Sequence, residues 1–305
     1  MNANISVIIP TRNRKVLLER AIKSVQKQTF QDWEIIVVDD ASTDDTMQLL
    51  AQFQTKDDRI KVIRHEKAKG GAAARNSGIA ACHGEWVAFL DDDDFWLSQK
   101  LELQLNLLRQ YEDAVACTCA FVVHRPLRRD RIITPPVEVS LEQLIRAKTN
   151  IMGGMSVCMC SFEGLQKIGG FDERLSSAQD WDLWIRLRQA GKIVCYHDKA
   201  LVHYDSYFSN RITSNMQAKY SGHRRFYFKY RHLMDKHRRQ SCIAELCYFR
   251  SSQTHRGIWS RVKNFRMSIR YATPRLKIYY IKTSFLNIIS FLFKMLFKPG
   301  FSGSK

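Results

Sequence analysis

Short apolar runs alternate with longer amphipathic stretches through the first third of the chain. Ile5 to Ile9 predicts a buried strand, and Leu17, Leu18, Ala21, Ile22 and Val25 then recur at helical spacing. Glu34 to Val38 predicts a second strand. Asp44 and Asp45 follow as the opening of a helix, with acids in the first turn where the helix dipole favours them. Ile60 to Ile63 and Trp86 to Leu90 read as two more strands, separated by a small-residue helix from about Gly71 to Ala81. Gln99 to Leu108 has a helical period, and Ala114 to Val123 is β-rich.

Strands apolar on both faces and separated by such helices imply βαβ units. The expected fold is α/β, with a Rossmann-like, mostly parallel sheet flanked by helices. Ligands of such sheets bind outside the carboxyl ends of the strands, which singles out loops 10–14, 39–45 and 91–96. After Thr134 the pattern loosens at Pro135-Pro136, and helical signals return at Leu141 to Ala147 and Trp181 to Gln189.

With 45% hydrophobic and 26% charged residues, the 305-residue chain is globular rather than disordered or fibrous. Its net charge of +18 is unevenly spread. From Met1 to Asp205, 27 basic residues face 28 acidic ones; from Ser206 onward, 21 basic residues face only Asp235 and Glu245. Such asymmetry points to a nucleic-acid or membrane contact made by the basic part. The eight cysteines sit mostly inside apolar runs, as reduced cytoplasmic thiols do. The two Cys-x-Cys pairs, Cys117/Cys119 and Cys158/Cys160, lack CxxC spacing or His partners and read as buried side chains rather than zinc or redox sites. Met1 to Asn4 has neither a charged nor an apolar signal region, so no secretory signal is expected.

The strongest chemical signal is Asp91-Asp92-Asp93-Asp94, directly after the WVAFL strand. Four acids at a strand end repel one another, and carboxylates two residues apart can grip a hard divalent ion and leave positions open for phosphate oxygens. The competing reading is a solvated acidic turn that caps the next helix. Asp39-Asp40 ends another strand the same way, where a carboxylate can accept a nucleobase N–H; the competing reading of the segment is helix capping by Ser42 or Asp44. Pro10-Thr11-Arg12-Asn13-Arg14 closes the first strand with donors suited to ribose and phosphate, and Arg75 is a lone base on the small-residue helix. Asp180, between Gly169-Gly170-Phe171 and Trp181 and Trp184, stands near a helix N-terminus as a cap or as a general base in a partly apolar pocket.

Five segments together resemble the family 2 glycosyltransferases of GT-A fold, which are inverting and use nucleotide sugars. They are SVIIPTRNR (Ser6–Arg14), EIIVVDDASTDDT (Glu34–Thr46), GGAAARNSGIA (Gly70–Ala80), WVAFLDDDDFW (Trp86–Trp96) and GGFDERLSSAQDWDLWIRL (Gly169–Leu187). They fall in the family's order over about residues 5–215. The resemblance implies that Asp40 reads the base, as uracil, with Thr11, Arg12, Asp39 and Arg75 completing the nucleotide pocket. Asp91-x-Asp93 matches the DxD element that binds ribose, with Asp92, and a divalent cation (Mn2+ or Mg2+), Asp93 being the direct metal contact. Asp180 matches the catalytic base. His203 and Arg211 lie where relatives carry residues closing over the diphosphate, with a further metal or phosphate contact and a structural histidine as the two readings of His203.

Two positions depart from the family pattern. Arg12 stands where many relatives carry a base-stacking Tyr, and a guanidinium plane can also stack. Gln179 stands where the acid before the base is often Glu. No Gln-x-x-Arg-Trp follows, so a processive synthase is not expected. The expected domains are a GT-A domain over 1–215, with a nucleotide half to about 125 and an acceptor half from about 126, and a basic helical tail over 216–305.

In that tail, His223 to His232 interleaves basic and aromatic residues, a pattern that also suits RNA. Phe285 to Phe297 is almost wholly apolar, with Thr283, Asn287, Ser290, Lys294 and Lys298 on one narrow stripe. Only eleven residues separate Lys282 from Lys294, short of the roughly 20 needed for a span. An interfacial helix on an anionic membrane is therefore expected, with a core-packing terminal helix as its competitor. The expected partners are a nucleotide-sugar donor, a glycan or lipid-linked acceptor and the inner face of the cell membrane. The alternative, a nucleic-acid-binding protein with a non-catalytic α/β domain, is disfavoured because Asp91–Asp94 would repel phosphates. A Rossmann dehydrogenase is excluded because no GxGxxG follows the first strand.

Overall fold

The computed structural model describes residues 4–125, 129–205, 215–253, 258–272, 277 and 280–281. The chain divides into two compact units, Met1–Ser214 and Asn215–Lys305.

The first unit begins with β1 (Ile5–Thr11), α1 (Lys15–Gln26), β2 (Trp33–Asp39), α2 (Thr46–Lys56), β3 (Ile60–Arg64), α3 (Gly71–Ala80) and β4 (Trp86–Phe89). These strands lie side by side in the order β3-β2-β1-β4, all parallel. Ile5, Val7, Ile8 and Ile9 of β1 and Ile35 to Val38 of β2 are fully buried, which is why their sequences run apolar without alternation. Each such side chain contributes about 1.5–3 kcal/mol on burial. The small-residue helix α3 lies hard against β1, where a Cβ at Gly78 would come 2.5 Å from Ile8 Cγ2. Small residues are therefore required on that face.

The chain continues through β5 (Asp94–Trp96), α4 (Lys100–Leu108), β6 (Ala114–Cys119), β7 (Phe121–His124), β8 (Arg131–Ile133), α5 (Leu141–Arg146), β9 (Met159–Ser161), α6 (Phe162–Ile168), α7 (Gln179–Ala190), β10 (Lys192–Tyr196) and β11 (Val202–Asp205). The main sheet extends as β4-β9-β6-β10, with β9 antiparallel to both neighbours. A second sheet has the order β5-β11-β7-β8.

Two sequence expectations change here. The β-rich run from Ala114 to Val123 is two strands in two sheets. It breaks at Ala120, whose N–H donates to Tyr196 O at 3.0 Å and whose carbonyl accepts from Leu201 N at 2.9 Å. The acidic loop 91–96 is shorter than expected, because Asp94 already opens β5 and pairs with Tyr204 of β11.

The second unit holds α8 (Met216–Tyr230), α9 (Lys236–Ser251) and α10 (Ile258–Tyr271). Asn215 and Asp235 cap α8 and α9 by accepting first-turn N–H groups. Ala244, Tyr248, Ala272 and Tyr280 form a small apolar centre, with the Tyr248 and Tyr280 rings stacked at 4.4 Å. No helix among the described residues is long and apolar enough to cross a membrane. Arg211 and the apolar stretch from Phe285 to Phe297 lie outside the described residues.

All eight cysteines are free thiols. Cys117, Cys119, Cys158 and Cys160 are buried, and burial pushes the Cys119 thiol up to about 12. That thiol is expected to stay protonated and inert.

Candidate active site

Because β2, β1 and β4 are neighbours and parallel, their carboxyl ends lie along one edge of the sheet. That edge brings together Asp39 and Asp40 after β2, Thr11 at the end of β1, and Asp91 to Asp94 after β4. Adjacent backbones lock the loops together: Asp40 N donates to Thr11 O at 2.9 Å and Leu90 N to Ile8 O at 3.0 Å.

The acidic run is divided by position. Among the described residues, Asp91, Asp93 and Asp94 are the group whose ligand oxygens approach within 4.8 Å of one another, as a shared divalent cation requires. These oxygens are hard donors of the type magnesium and manganese prefer, so the donor set fits the expected ion, with Asp94 added to the expected pair. Asp92 is not part of this group. It accepts from Thr11 Oγ1 and from Arg14 at 2.8 Å each. Burial pushes its carboxyl up to about 6 against the opposing Arg14 and Thr11 contacts, and the charge of Asp93 adds to the rise.

Cations already temper the repulsion within the run. Arg75 pairs with Asp91, and Arg14 approaches Asp93 at 3.4 Å. Ser156 Oγ donates to Asp94 at 2.6 Å while accepting from Asp91 N at 3.0 Å, tying the two ends of the run to one hydroxyl. Arg12, by contrast, is exposed on the loop. Asn13 adopts a left-handed conformation at φ +53° and turns the chain so that Arg14, the next residue, meets the acids.

The two acids after β2 differ in availability. Asp40 accepts from Lys69 N at 2.7 Å, His65 Nδ1 at 2.8 Å and Gly70 N at 2.8 Å. Burial alone would raise its pKa, but these donors outweigh it and leave the carboxyl below the usual range. Asp40 thus clamps the loop that leads into α3. Asp39 is fully buried; its Oδ1 accepts from Ser42 N at 3.1 Å, whereas Oδ2 has no hydrogen-bond partner and lies 3.6 Å from Arg64 Nε.

Asp180 enters from α7, in that helix's first turn. Trp181 Nε1 donates to Leu144 O at 2.9 Å and Trp184 Nε1 to Gly153 O at 3.0 Å, which fixes the helix start. Asp180 Oδ1 accepts from Trp181 N and Oδ2 from Asn150 Nδ2, each at 2.9 Å. Burial raises its pKa above the usual carboxylate value, opposed by those two donors and the charge of Arg75 and assisted by the charge of Asp91. A carboxylate so placed keeps its affinity for a proton, as a general base needs.

Asn76 of α3 connects this region to the Gly-Gly-Phe loop. Its side chain accepts from Phe171 N at 2.8 Å and donates to Phe171 O at 3.0 Å. A Cβ at Gly170, where φ is +63°, would come 2.6 Å from Asn76 Oδ1, so this turn requires glycine.

His203 and Tyr204 occupy successive positions on β11 and point to opposite faces. His203 stacks on Phe95 at 4.7 Å, and its Nδ1 lies 2.7 Å from His124 Nε2, with His124 Nδ1 in turn 2.8 Å from Asp130. Burial lowers its pKa, and His124 adds to the effect. Tyr204 pairs along the backbone with Asp94 and packs on Phe121, and burial first, then the charges of Asp94 and Asp91, raise its pKa.

Arg14, Asp94, Asn150 and Ser156 are the site residues that the sequence reading did not commit to. Arg14 and Asp94 lay inside motifs already singled out, but the other two carry no local signal.

The family profile for glycosyl transferase family 2 matches residues 6–169. TuaG of Bacillus subtilis (strain 168), a glycosyltransferase assigned to teichuronic acid biosynthesis, is 30% identical over 235 residues, covering 76% of this chain and 89% of TuaG. The GalNAc(5)-diNAcBac-PP-undecaprenol β-1,3-glucosyltransferase of Campylobacter jejuni is 52% identical over 98 residues, about 32% of each chain. The S. aureus TarS 1–349 structure in complex with UDP-GlcNAc superposes with a TM-score of 0.65 at 20% identity, covering 90% of this chain and 82% of that one, and shares the GT-A fold. Profile, relatives and sheet-edge geometry agree: the chain belongs to glycosyl transferase family 2 and is a glycosyltransferase of GT-A fold.

Proposed function

We propose that the chain transfers a hexosyl or N-acetylhexosaminyl group from a UDP-sugar to a hydroxyl of a glycan or lipid-linked acceptor, with inversion and without processivity, in cell-surface polysaccharide or lipopolysaccharide synthesis. One observation carries this reading: Asp91, Asp93 and Asp94 share one centre, and the charge of Arg75 acts on both Asp91 and Asp180. The UDP-GlcNAc of the TarS complex supports a uridine donor, and the undecaprenol-linked substrate named for the Campylobacter enzyme supports a lipid-linked acceptor.

Asp91, Asp93 and Asp94 would hold Mn2+ or Mg2+, which when bound neutralises charge on a diphosphate leaving group. Thr11, Arg12 and Asp92 face the nucleoside and its ribose. Of the two acids after β2, Asp39 is the better base reader, because its Oδ2 accepts no hydrogen bond while Asp40 holds the 65–70 loop. Asp180 takes the proton of the acceptor hydroxyl as that oxygen attacks the anomeric carbon from the face opposite the diphosphate. That geometry inverts the configuration and needs no covalent enzyme intermediate. Residues to about 125 form the nucleotide half and those to 215 the acceptor half, followed by the basic tail.

The tail, through its +19 excess, holds the enzyme on the anionic inner face of the cell membrane. Nucleic acid is not a partner in this account, since the acids at the centre of the site repel phosphodiesters. Thermal unfolding with a panel of UDP- and GDP-sugars, with and without Mn2+, tests the donor. A UDP-sugar should protect, and more so with the ion; protection by no nucleotide sugar would refute the reading.

A further inference from the structure

Arg20 stands on α1, whose seat on the domain is fixed because Leu18, Ala21, Ile22 and Val25 are fully buried. Its guanidinium reaches three groups outside the helix. Nη2 donates to the backbone carbonyl of Asp93 at 2.6 Å, and Nη1 donates to Asp205 Oδ2 at 2.8 Å. The guanidinium carbon lies 5.0 Å from the centre of the Phe95 ring. The planar fork of arginine can hold a carbonyl, a carboxylate and a ring face at once, which the point charge of lysine cannot.

Two of these contacts bracket one residue. Asp93 and Phe95 flank Asp94, so Arg20 grips the chain on both sides of one carboxylate of the candidate cation site, and does so through the backbone of another. The rest of the acidic run has separate anchors: Arg75 pairs with Asp91, and Thr11 and Arg14 hold Asp92. Asp94 N closes a turn on Asp91 O at 3.0 Å, a bond that does not use the Asp93 carbonyl; Arg20 takes it up. The third contact, Asp205, is the last residue of β11, and its neighbour Tyr204 pairs with Asp94. One side chain of α1 thus ties the acidic turn to the end of the second sheet. Three converging carboxylates repel one another until a cation is shared, so the segment that carries them has to be held against spreading.

Resting on the cation-site reading above, we propose that Arg20 is a positioning residue for the divalent ion, which keeps Asp93 and Asp94 at the spacing in which they can ligate together. A guanidinium offers no lone pair to a metal, so its effect passes through the residues it holds. Supporting groups of this kind set metal affinity because they orient the ligands before the ion arrives.

The test is Mn2+ binding in a fixed excess of UDP, read from the electron paramagnetic resonance of free Mn2+, on wild type, Arg20→Met and Arg20→Lys. Arg59→Met is the control: its guanidinium lies 3.6 Å from the centre of the Trp33 ring and pairs with Asp57, just ahead of β3, at the amino end of the parallel strands. It loses a comparable brace without disturbing the acids. The unfolding temperature of each variant, taken without metal, reads stability separately. The Mn2+ Kd should weaken about tenfold in Arg20→Met, about threefold in Arg20→Lys, which keeps the charge but not the fork, and not at all in Arg59→Met. Wild-type affinity in Arg20→Met, or an equal loss in Arg59→Met, would overturn the proposal; if Arg20→Met does not fold, wild-type affinity in Arg20→Lys overturns it instead. A wild type that binds no Mn2+ would overturn the cation-site reading itself.

Discussion

The side-chain amide of Asn150 hydrogen-bonds Asp180 Oδ2 at 2.9 Å, and the same nitrogen reaches Gly153 O. Asp180 is thereby held in one orientation with its charged form favoured against the burial that raises its pKa. Removing that donor in Asn150→Leu takes away part of what opposes burial, so the carboxyl stays protonated to still higher pH. The base is active only as the carboxylate; the acid limb of the kcat/KM profile should therefore move to higher pH. A profile that falls in height without moving would mean that Asn150 supports structure only.

A second prediction concerns the cation site. Asp93→Asn removes one of three converging carboxylates and should weaken the enhancement of UDP-sugar binding by Mn2+ by tenfold or more. Chelation of wild type should produce the same loss. Binding that is indifferent to both treatments would contradict the assignment.

The Gly-Gly-Phe turn gives a test of geometry. Gly169 and Gly170 both have positive φ, but a Cβ at Gly169 meets nothing within 4 Å, whereas one at Gly170 strikes Asn76. Gly169→Ala should cost about 1 kcal/mol of stability and Gly170→Ala about 2–3 kcal/mol, the difference being the displaced Asn76 anchor. Denaturant unfolding of the two variants reads that difference directly.

Much of this was legible in the sequence, for a physical reason. Strands β1, β2 and β4 are buried on both faces, so their apolar runs announce them, and the parallel order places the acids that follow β2 and β4 on one edge. Strands β5, β9 and β11 are three or four residues long, and their pairing is decided by distant neighbours rather than by local pattern. Asp94 looked like one more loop acid because nothing near it reveals β11. Arg12 and Arg14 are equivalent in composition; only the left-handed turn at Asn13 separates the exposed one from the one that holds Asp92. Asn150 became visible only when the 150–154 turn was placed beside α7.

Lys100 makes a prediction about stability alone. Its amine is fully buried 3.8 Å above the Trp96 ring and has no hydrogen-bond partner, and burial pushes its pKa down to about 8 against the influence of the neighbouring thiols. At pH 7 it carries a charge that Lys100→Met would remove while keeping the volume. The variant should be more stable by about 1–3 kcal/mol. A lower unfolding temperature would show that the cation–π contact outweighs the desolvation.

In the second unit, His223 packs edge-on to Phe249 at 5.0 Å, and burial pushes its pKa down to about 4, with Lys219 and Arg238 adding repulsion. The unfolded chain takes up a proton near pH 6.5 while the folded one does not. Stability should therefore be full above about pH 6.5 and fall as the pH drops towards 4. Hydrogen exchange across α8 and α9 should rise over that window in wild type and less so in His223→Gln.

The most direct test of the central claim is Asp180→Asn, assayed for transfer and for UDP-sugar binding in the presence of Mn2+. With the base removed and the donor site intact, turnover should fall about a hundredfold or more while the donor Kd stays within a factor of about two. Retained turnover would remove Asp180 from the chemistry and contradict the account.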